Sequence, residues 1–455
     1  LLGMSASKAS TSRRRKVKDE DEEYVPDEPV EAVKKTRKAR NSPIISSDPY
    51  NHRHHDPEVA ILGVAVEGSI RHVLLSQVAL STHIIMWLHK ARSPLVDAYF
   101  IIMSFLGDQV LYVMLLPWFL WVLDPSFGRL FLLLLVTGTT FGNTLKNLFA
   151  MPRPPSPPLW THHKHEDFGM PSTHTMNSVS MSFFFAYWLW PSVPKDGTQY
   201  LLILFVIWYT SSMFVSRMYL AAHSHVDTIS GFTLGVLYFL FWVWISPSVD
   251  KFLNTNHYAP FYVLAGIFLL LLFHPRSSRP SPSFRYSMSL SGLGLGMSLG
   301  IHLTRFVGPF WLTPIKTLFS HDFRDSILHS LPAEWHKFSS NLMGVIIGII
   351  LLLTTYLLVR TCALVLLLVL FRLPPVAWLV NKFKVFLRWC ALPHPLALDN
   401  LDHPQWNPER EVVNPKDAKM LSDMLGTIVV GLIITHFIPI ILNKMGLMLT
   451  SLLTK

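Results

Sequence analysis

Charge is scarce in this chain: Asp, Glu, Lys and Arg make up 15% of its 455 residues. The length alone would allow several soluble domains, but so little charge could not solvate them. Cysteine is scarcer, with Cys362 and Cys390 the only two, too few for a disulfide framework. Cys362 falls in an apolar run, as an inert helix residue would. No repeat of fixed period runs through the sequence, and no cleavable leader is visible at its start, so the first spans are expected to direct it to a membrane.

Hydrophobic residues are abundant, at 50%, with 14 Trp among them. A segment crossing a hydrocarbon core of about 30 Å needs roughly 20 apolar residues. Leu130–Phe149, Tyr200–Phe214, Ile229–Ile245, Pro260–Phe273, Leu342–Leu358, Thr361–Phe371 and Leu425–Leu442 meet or approach that length. With the less clean stretches Pro94–Gly107, Gln109–Leu123, His174–Trp190 and Met288–Leu303, nine or ten spans are expected. Such continuous runs imply helices, which alone among open structures satisfy the backbone within lipid. The fold class is therefore all-α, a polytopic transmembrane protein. The net charge of +10 lies partly in basic clusters such as Arg276–Arg285, which suits loop anchoring against anionic membrane lipids and not a nucleic-acid partner. Three regions are expected: a charged, disordered tail over 1–57, a catalytic transmembrane bundle over 58–247 and a further transmembrane region over 248–455. Arg71–Lys90 suits an interfacial helix as well as a span.

The middle region carries three short clusters. Lys146 is followed by Arg153-Pro154; next comes Pro171-Ser172-Thr173-His174; the third is Ser216-Arg217 with His223 and Asp227. Span parity places all three on one membrane face. Lys146 and Arg153 leave the Leu130–Phe149 helix, His174 enters the following one, and Tyr200–Phe214 returns the chain to the same side. Together they form the parts list for breaking a phosphate ester. Arg153 and Arg217 offer paired N–H donors and Lys146 a point charge. Ser172 or Thr173 suits a helix N-cap, whose free N–H groups and helix dipole make an anion site. His174 beside that site could protonate a leaving oxygen. His223 and Asp227 are four apart, on one face of a helix if the segment is helical, so Asp227 could hold one imidazole nitrogen as N–H and leave the other nucleophilic. Taken alone, those two residues also read as a structural His–Asp pair. The reaction expected is in-line attack by His223 Nε2, protonation of the alkoxide by His174, and hydrolysis of the phosphohistidine. No acidic cluster with magnesium-ligand character accompanies these residues, so no metal and no cofactor is expected.

These residues resemble the lipid phosphatase superfamily named for type 2 phosphatidic acid phosphatase, with its signature K-x6-R-P, P-S-G-H and S-R-x5-H-x3-D. Thr173 stands where that signature has Gly. Within the superfamily, Pro152-Arg153-Pro154-Pro155-Ser156-Pro157-Pro158, Pro171-Ser172-Thr173-His174 and Ala222-His223-Ser224 with Asp227 look like the sphingosine-1-phosphate phosphatase branch. The close match runs from about Lys146 to Gly231. The resemblance implies a six-helix catalytic bundle, residence in the endoplasmic reticulum membrane and a lumenal site. It implies hydrolysis of sphingoid long-chain base 1-phosphates to free base and phosphate. It supports His223 as nucleophile, Asp227 as its partner, His174 as acid, and Lys146, Arg153, Ser172, Thr173 and Arg217 as phosphate binders. Counting Pro94–Gly107 and Gln109–Leu123 as two spans gives a lumenal site only if Arg71–Lys90 does not cross.

Between the first two clusters lie His162, His163 and His165 with Glu166 and Asp167. They read as solvated loop residues before a metal site, and Glu166 or Asp167 is a candidate to meet the ammonium of a sphingoid base. His436, alone in an apolar run, reads as a packing residue. The competing readings are a broader phosphatase acting on phosphatidate or a prenyl diphosphate, and a membrane scaffold without catalysis.

Overall fold

Side-chain caps mark where five helices of the computed structural model begin. It describes residues 64–156, 158–162, 167–275, 282–307, 333–390 and 415–444. The tail over 1–57, the cluster Arg276–Arg279, and His163, His165 and Glu166 lie outside the described residues.

Helix α1 is Val64–His89. Ser93 caps α2 (Pro94–Leu106), accepting from the Val96 N–H, and Asp108 caps α3 (Gln109–Trp118) by accepting from Val110. One π-helical turn, Phe119–Leu123, extends α3. Asp124 with Pro125 starts α4 (Pro125–Phe149), and Ser172 caps α5 (Thr173–Leu189). Next come α6 (Thr198–Tyr219) and α7 (His225–Thr255), whose start is a reciprocal capping box between Ser224 and Asp227. Then follow α8 (Ala259–Phe273), α9 (Pro282–His302), α10 (Ala333–Leu370), α11 (Pro374–Cys390), α12 (Pro415–Leu432) and α13 (Ile438–Lys444). No strand occurs among the described residues.

Four helical stretches are long and apolar enough to cross a membrane among the described residues: Thr198–Tyr219, His225–Thr255, Asn341–Leu370 and Asp417–Leu442. The pair α2 and α3, bent by 60°, adds a fifth. That is fewer than the nine or ten expected: α5 and α8, at 17 and 15 residues, are shorter than those four stretches, and two further features contribute. Leu342–Leu358 and Thr361–Phe371 are a single helix, α10. And α4 and α9 carry internal polar residues because they face other protein, not lipid: Thr139, Thr140, Asn143 and Lys146 on α4, and Ser287, Ser291 and Ser298 on α9, are all buried. Conversely, the long apolar helices leave large side chains uncovered, such as Leu204 and Phe205 on α6 and Leu240 and Trp244 on α7. A lipid-facing surface has that composition.

The bent pair changes the topology. Helix α2 runs antiparallel to α6: Tyr219 Oη donates to Asp97, Ser216 Oγ to the Phe100 carbonyl (3.0 Å) and Tyr209 Oη to the Leu106 carbonyl (2.8 Å). Thus α2 starts level with the end of α6, and α3 continues to the opposite end, where α4 begins. The two are one broken span, not two. Parity therefore reverses: a site on the face opposite the N-terminal tail requires α1 to cross. At about 1.5 Å per residue, its 26 residues extend about 39 Å, long enough to do so, though α1 is more polar than the four stretches above.

Six helices, α2 to α7, surround the motif residues. The expected boundary at 247/248 falls inside α7. Beneath the site the core is aromatic: Phe127 stacks on Trp188 with ring centroids 4.3 Å apart and on Phe184 at 5.7 Å. The C-terminal helices pack on this bundle through α9, whose Gly296 lies so close to α12 that a Cβ there would collide with the Ile428 backbone. Asp423 of α12 accepts from Arg285 of α9 and Arg360 of α10, tying the three together. Arg285, expected in a basic loop, is thus helical and paired.

Candidate active site

Three helix starts and three helix ends converge on one cavity of about 420 Å³. The starts are those of α3, α5 and α9; the ends are those of α2, α4 and α6. Helix N-termini carry free N–H groups and partial positive charge, so this convergence favours an anion before any side chain is counted. Seven of the eight motif residues behave as the parity argument requires. Lys146, Arg153, Thr173, His174, Arg217 and His223 line the cavity, and Asp227 lies directly behind His223. Ser172 does not line it. Its hydroxyl caps α5 and its N–H donates to the Asp227 carbonyl at 2.9 Å, which leaves it a structural part.

Two turns deliver the key side chains. Ala150 ends α4 and Ala221 follows α6, both with left-handed backbone (φ 46° and 50°). A non-glycine residue there costs roughly 1–2 kcal/mol, and each turn aims the chain back into the cavity, toward Arg153 and toward His223. The backbone N–H of His223 donates to the Arg217 carbonyl at 3.1 Å, so nucleophile candidate and cation are held on one frame. His223 is not on the helix with Asp227, as the spacing implied. It sits in the turn before α7, because Ser224 takes the N-cap and Asp227 the third helical position.

His223 and Asp227 are each 1% exposed, with Nδ1 3.5 Å from Asp227 Oδ2. The same oxygen accepts from the Ser224 N–H at 2.8 Å. His223 Nε2 faces Arg153 Nη1 at 3.2 Å. Since guanidinium has no lone pair to offer, Nε2 must be the acceptor and Nδ1 the protonated nitrogen. That tautomer presents a nucleophilic lone pair to the cavity.

Asp167 holds the cations. Its carboxylate receives Lys146 Nζ at 2.8 Å and Arg153 Nη2 at 2.6 Å, one on each oxygen, while Arg153 Nε donates to its carbonyl at 2.9 Å. Burial pushes the Asp167 carboxyl up, but Lys146 and Arg153 outweigh it and hold the group well below the usual carboxylate range. Both oxygens being committed, Asp167 is poorly placed for the ammonium role considered from sequence. Arg217 Nη1 donates to Ser104 of α2. His174, in the first turn of α5, turns Nε2 toward Asp108 Oδ2 at 3.6 Å.

Sequence reasoning passed over Asp108, although a charged residue between two apolar runs was visible, and also Asn143 of α4. It passed over Ser283 and Tyr286 as well, which bring α9 from the supposedly separate C-terminal region into the cavity wall. Their Ser and Tyr side chains carry no motif, so only packing reveals them. His436 is buried, with Nδ1 2.8 Å from Thr304 Oγ1, as a packing residue would be.

The PAP2 superfamily profile matches residues 127–250, the stretch that supplies all the motif residues. A probable sphingosine-1-phosphate phosphatase of Dictyostelium discoideum is 31% identical over 298 residues, covering 62% of this chain and 72% of that protein. The chain belongs to the PAP2 superfamily, in its sphingosine-1-phosphate phosphatase branch. Lipid phosphate phosphatase delta of Arabidopsis thaliana is 28% identical over 237 residues, covering 50% of this chain and 57% of that protein. Sphingosine-1-phosphate phosphatase 1 of Mus musculus is 29% identical over 210 residues, covering 45% and 47%. The chain thus spans about half the length of these last two relatives. No solved structure matches it. As a PAP2 member the chain is a phosphoric monoester hydrolase, and Asp108, Ser283 and Tyr286 lie outside the stretch that the profile covers.

Proposed function

We propose that the protein hydrolyses sphingoid long-chain base 1-phosphates to the free base and phosphate, in the endoplasmic reticulum membrane and at a lumenal site. The observation that carries the chemistry is the facing pair of histidines across a cation-lined cavity, His223 backed by Asp227 on one side and His174 on the other. The substrate class follows from the relatives' names. The phosphoryl group sits among Lys146, Arg153, Arg217 and the N–H groups at the start of α5, taking over the two cations now held by Asp167. Thr173, 3.5 Å from Lys146 Nζ, adds a hydroxyl to that cradle. His223 Nε2 attacks phosphorus in line and forms a phosphohistidine. The bond to the lipid oxygen breaks as His174 gives it a proton. Water, deprotonated by His174, then attacks phosphorus and releases phosphate from His223. Asp227 keeps the imidazole in the reactive tautomer throughout and balances its growing positive charge.

Phosphate release from purified protein in detergent with EDTA tests this, with dihydrosphingosine-1-phosphate compared with phosphatidate. We expect preference for the sphingoid substrate and a fall of at least about 10³-fold in His223→Ala, as for loss of a covalent nucleophile. Equal or greater activity on phosphatidate keeps the mechanism but replaces the substrate, in line with the Arabidopsis relative's broader name. Release unchanged in His223→Ala removes the nucleophile assignment, and no release from either substrate brings the scaffold reading forward.

A further inference from the structure

Among the described residues two carboxylates line the cavity, and they lie in different electrostatic settings. Asp167 is consumed by Lys146 and Arg153 on the phosphate side. Asp108 sits at the break of the α2–α3 span, where Gly107 ends one helix and Asp108 caps the next. Its Oδ1 accepts from the Val110 N–H at 2.8 Å. Its Oδ2 faces His174 Nε2 at 3.6 Å, and 36% of the side chain remains exposed. Among the described residues, no lysine or arginine is ion-paired with it.

This placement is odd for a phosphatase, since an anion near the leaving oxygen repels the substrate's phosphate. It has a use if the substrate carries a cation at that point. In a sphingoid base phosphate the amine is on the carbon next to the one bearing the ester oxygen. With the O–C–C–N torsion gauche, nitrogen lies roughly 3 Å from that oxygen. His174 must come within about 3 Å of the same oxygen to protonate it. A carboxylate oxygen 3.6 Å from His174 Nε2 is therefore within direct reach of the ammonium. We infer that Asp108 is the specificity residue of this site, receiving the ammonium group of the amino-lipid substrate beside the scissile bond. The inference rests on the sphingoid reading above and deepens it. It moves ammonium recognition from the phosphate-side loop to the kink of a broken span. A lipid phosphate with an ester or a neutral amide there would leave Asp108 with only His174, Arg217 and the Val110 N–H to offset its charge, which discriminates against it.

The test compares dihydrosphingosine-1-phosphate with its N-acetyl analogue, which keeps chain and phosphate but replaces the ammonium by a neutral amide. Asp108→Asn preserves the cap, because Asn also accepts from Val110. The readout is the ratio of kcat/KM for the two substrates. We expect wild type to favour the amine and Asp108→Asn to lower the ratio roughly 10–100-fold, the span of one hydrogen bond to a charged group. Residual hydrolysis of the amide analogue by the variant shows that it is folded. An unchanged ratio overturns the inference, whether both rates fall together, as they would if Asp108 only positioned His174, or neither falls. Wild type showing no preference for the amine would instead bring down the sphingoid reading itself, and the inference with it.

Discussion

Lys146 and Arg153 are neutralised by Asp167 in this structure, and in the proposed reaction an incoming phosphate has to displace that carboxylate. An internal carboxylate at 2.6–2.8 Å is a strong competitor, because charge-assisted bonds of this length are about twice the strength of neutral ones. Asp167→Asn is therefore expected to tighten inhibition by inorganic phosphate several-fold, measured as a lower Ki; a weaker Ki would make Asp167 an organiser of the two cations. Because the folded-state pKa of Asp167 is depressed, its stabilising contribution is present above the unfolded value near about 4 and fades as pH falls through the folded value. Neutral-pH assays therefore meet it fully charged. At the same scale, Ser172 shows how a signature position can serve the fold: its hydroxyl caps α5 and its N–H joins α5 to α7 at the Asp227 carbonyl.

At the scale of elements, the active site is a set of helix ends held at fixed separation, and glycines set two of the separations. A Cβ on Gly231 of α7 would come 2.5 Å from the Ser172 carbonyl oxygen, so this glycine lets the starts of α5 and α7 meet. On the other flank, Gly292, Gly296 and Gly300 line one stripe of α9 against α12, the close packing that small residues four apart permit in membranes. Gly296→Leu is expected to destabilise the protein by about 1–3 kcal/mol or more, as overpacking does, seen as a lower melting temperature in detergent. Unchanged melting would mean that the two helices separate without cost. Since Ser283 and Tyr286 of α9 line the cavity, the loss should reach activity as well.

For the whole molecule, the broken span decides sidedness. Helix α5 starts in the cavity and ends 17 residues later, about 25 Å away at 1.5 Å per residue, so the turn between Val193 and Gly197 lies on the opposite face. With a lumenal site, a glycosylation acceptor introduced in that turn should remain unmodified in cells. Its modification would place the site in the cytosol. The same geometry requires α1 to cross if the tail is cytosolic, the reverse of the count made from apolar runs.

Sequence alone determined the membrane class, the helical fold, the family and most of the motif residues that line the cavity. Those follow from local signals: apolar runs of membrane length, an N-cap candidate at Ser172 and cations clustered at helix ends. Only the tertiary structure decided that Pro94–Gly107 and Gln109–Leu123 form one kinked span, that His223 sits in a turn and not on α7, that Ser172 is spent on capping, and that α9 closes the cavity. It also separated Asp108 from Asp167, two carboxylates that look alike as letters. Their roles depend on which groups lie within a few ångströms, and these come from residues 21 and 14 positions away for Asp167 and 66 positions away for Asp108. Coulomb energy depends on distance in space, which a linear pattern does not encode.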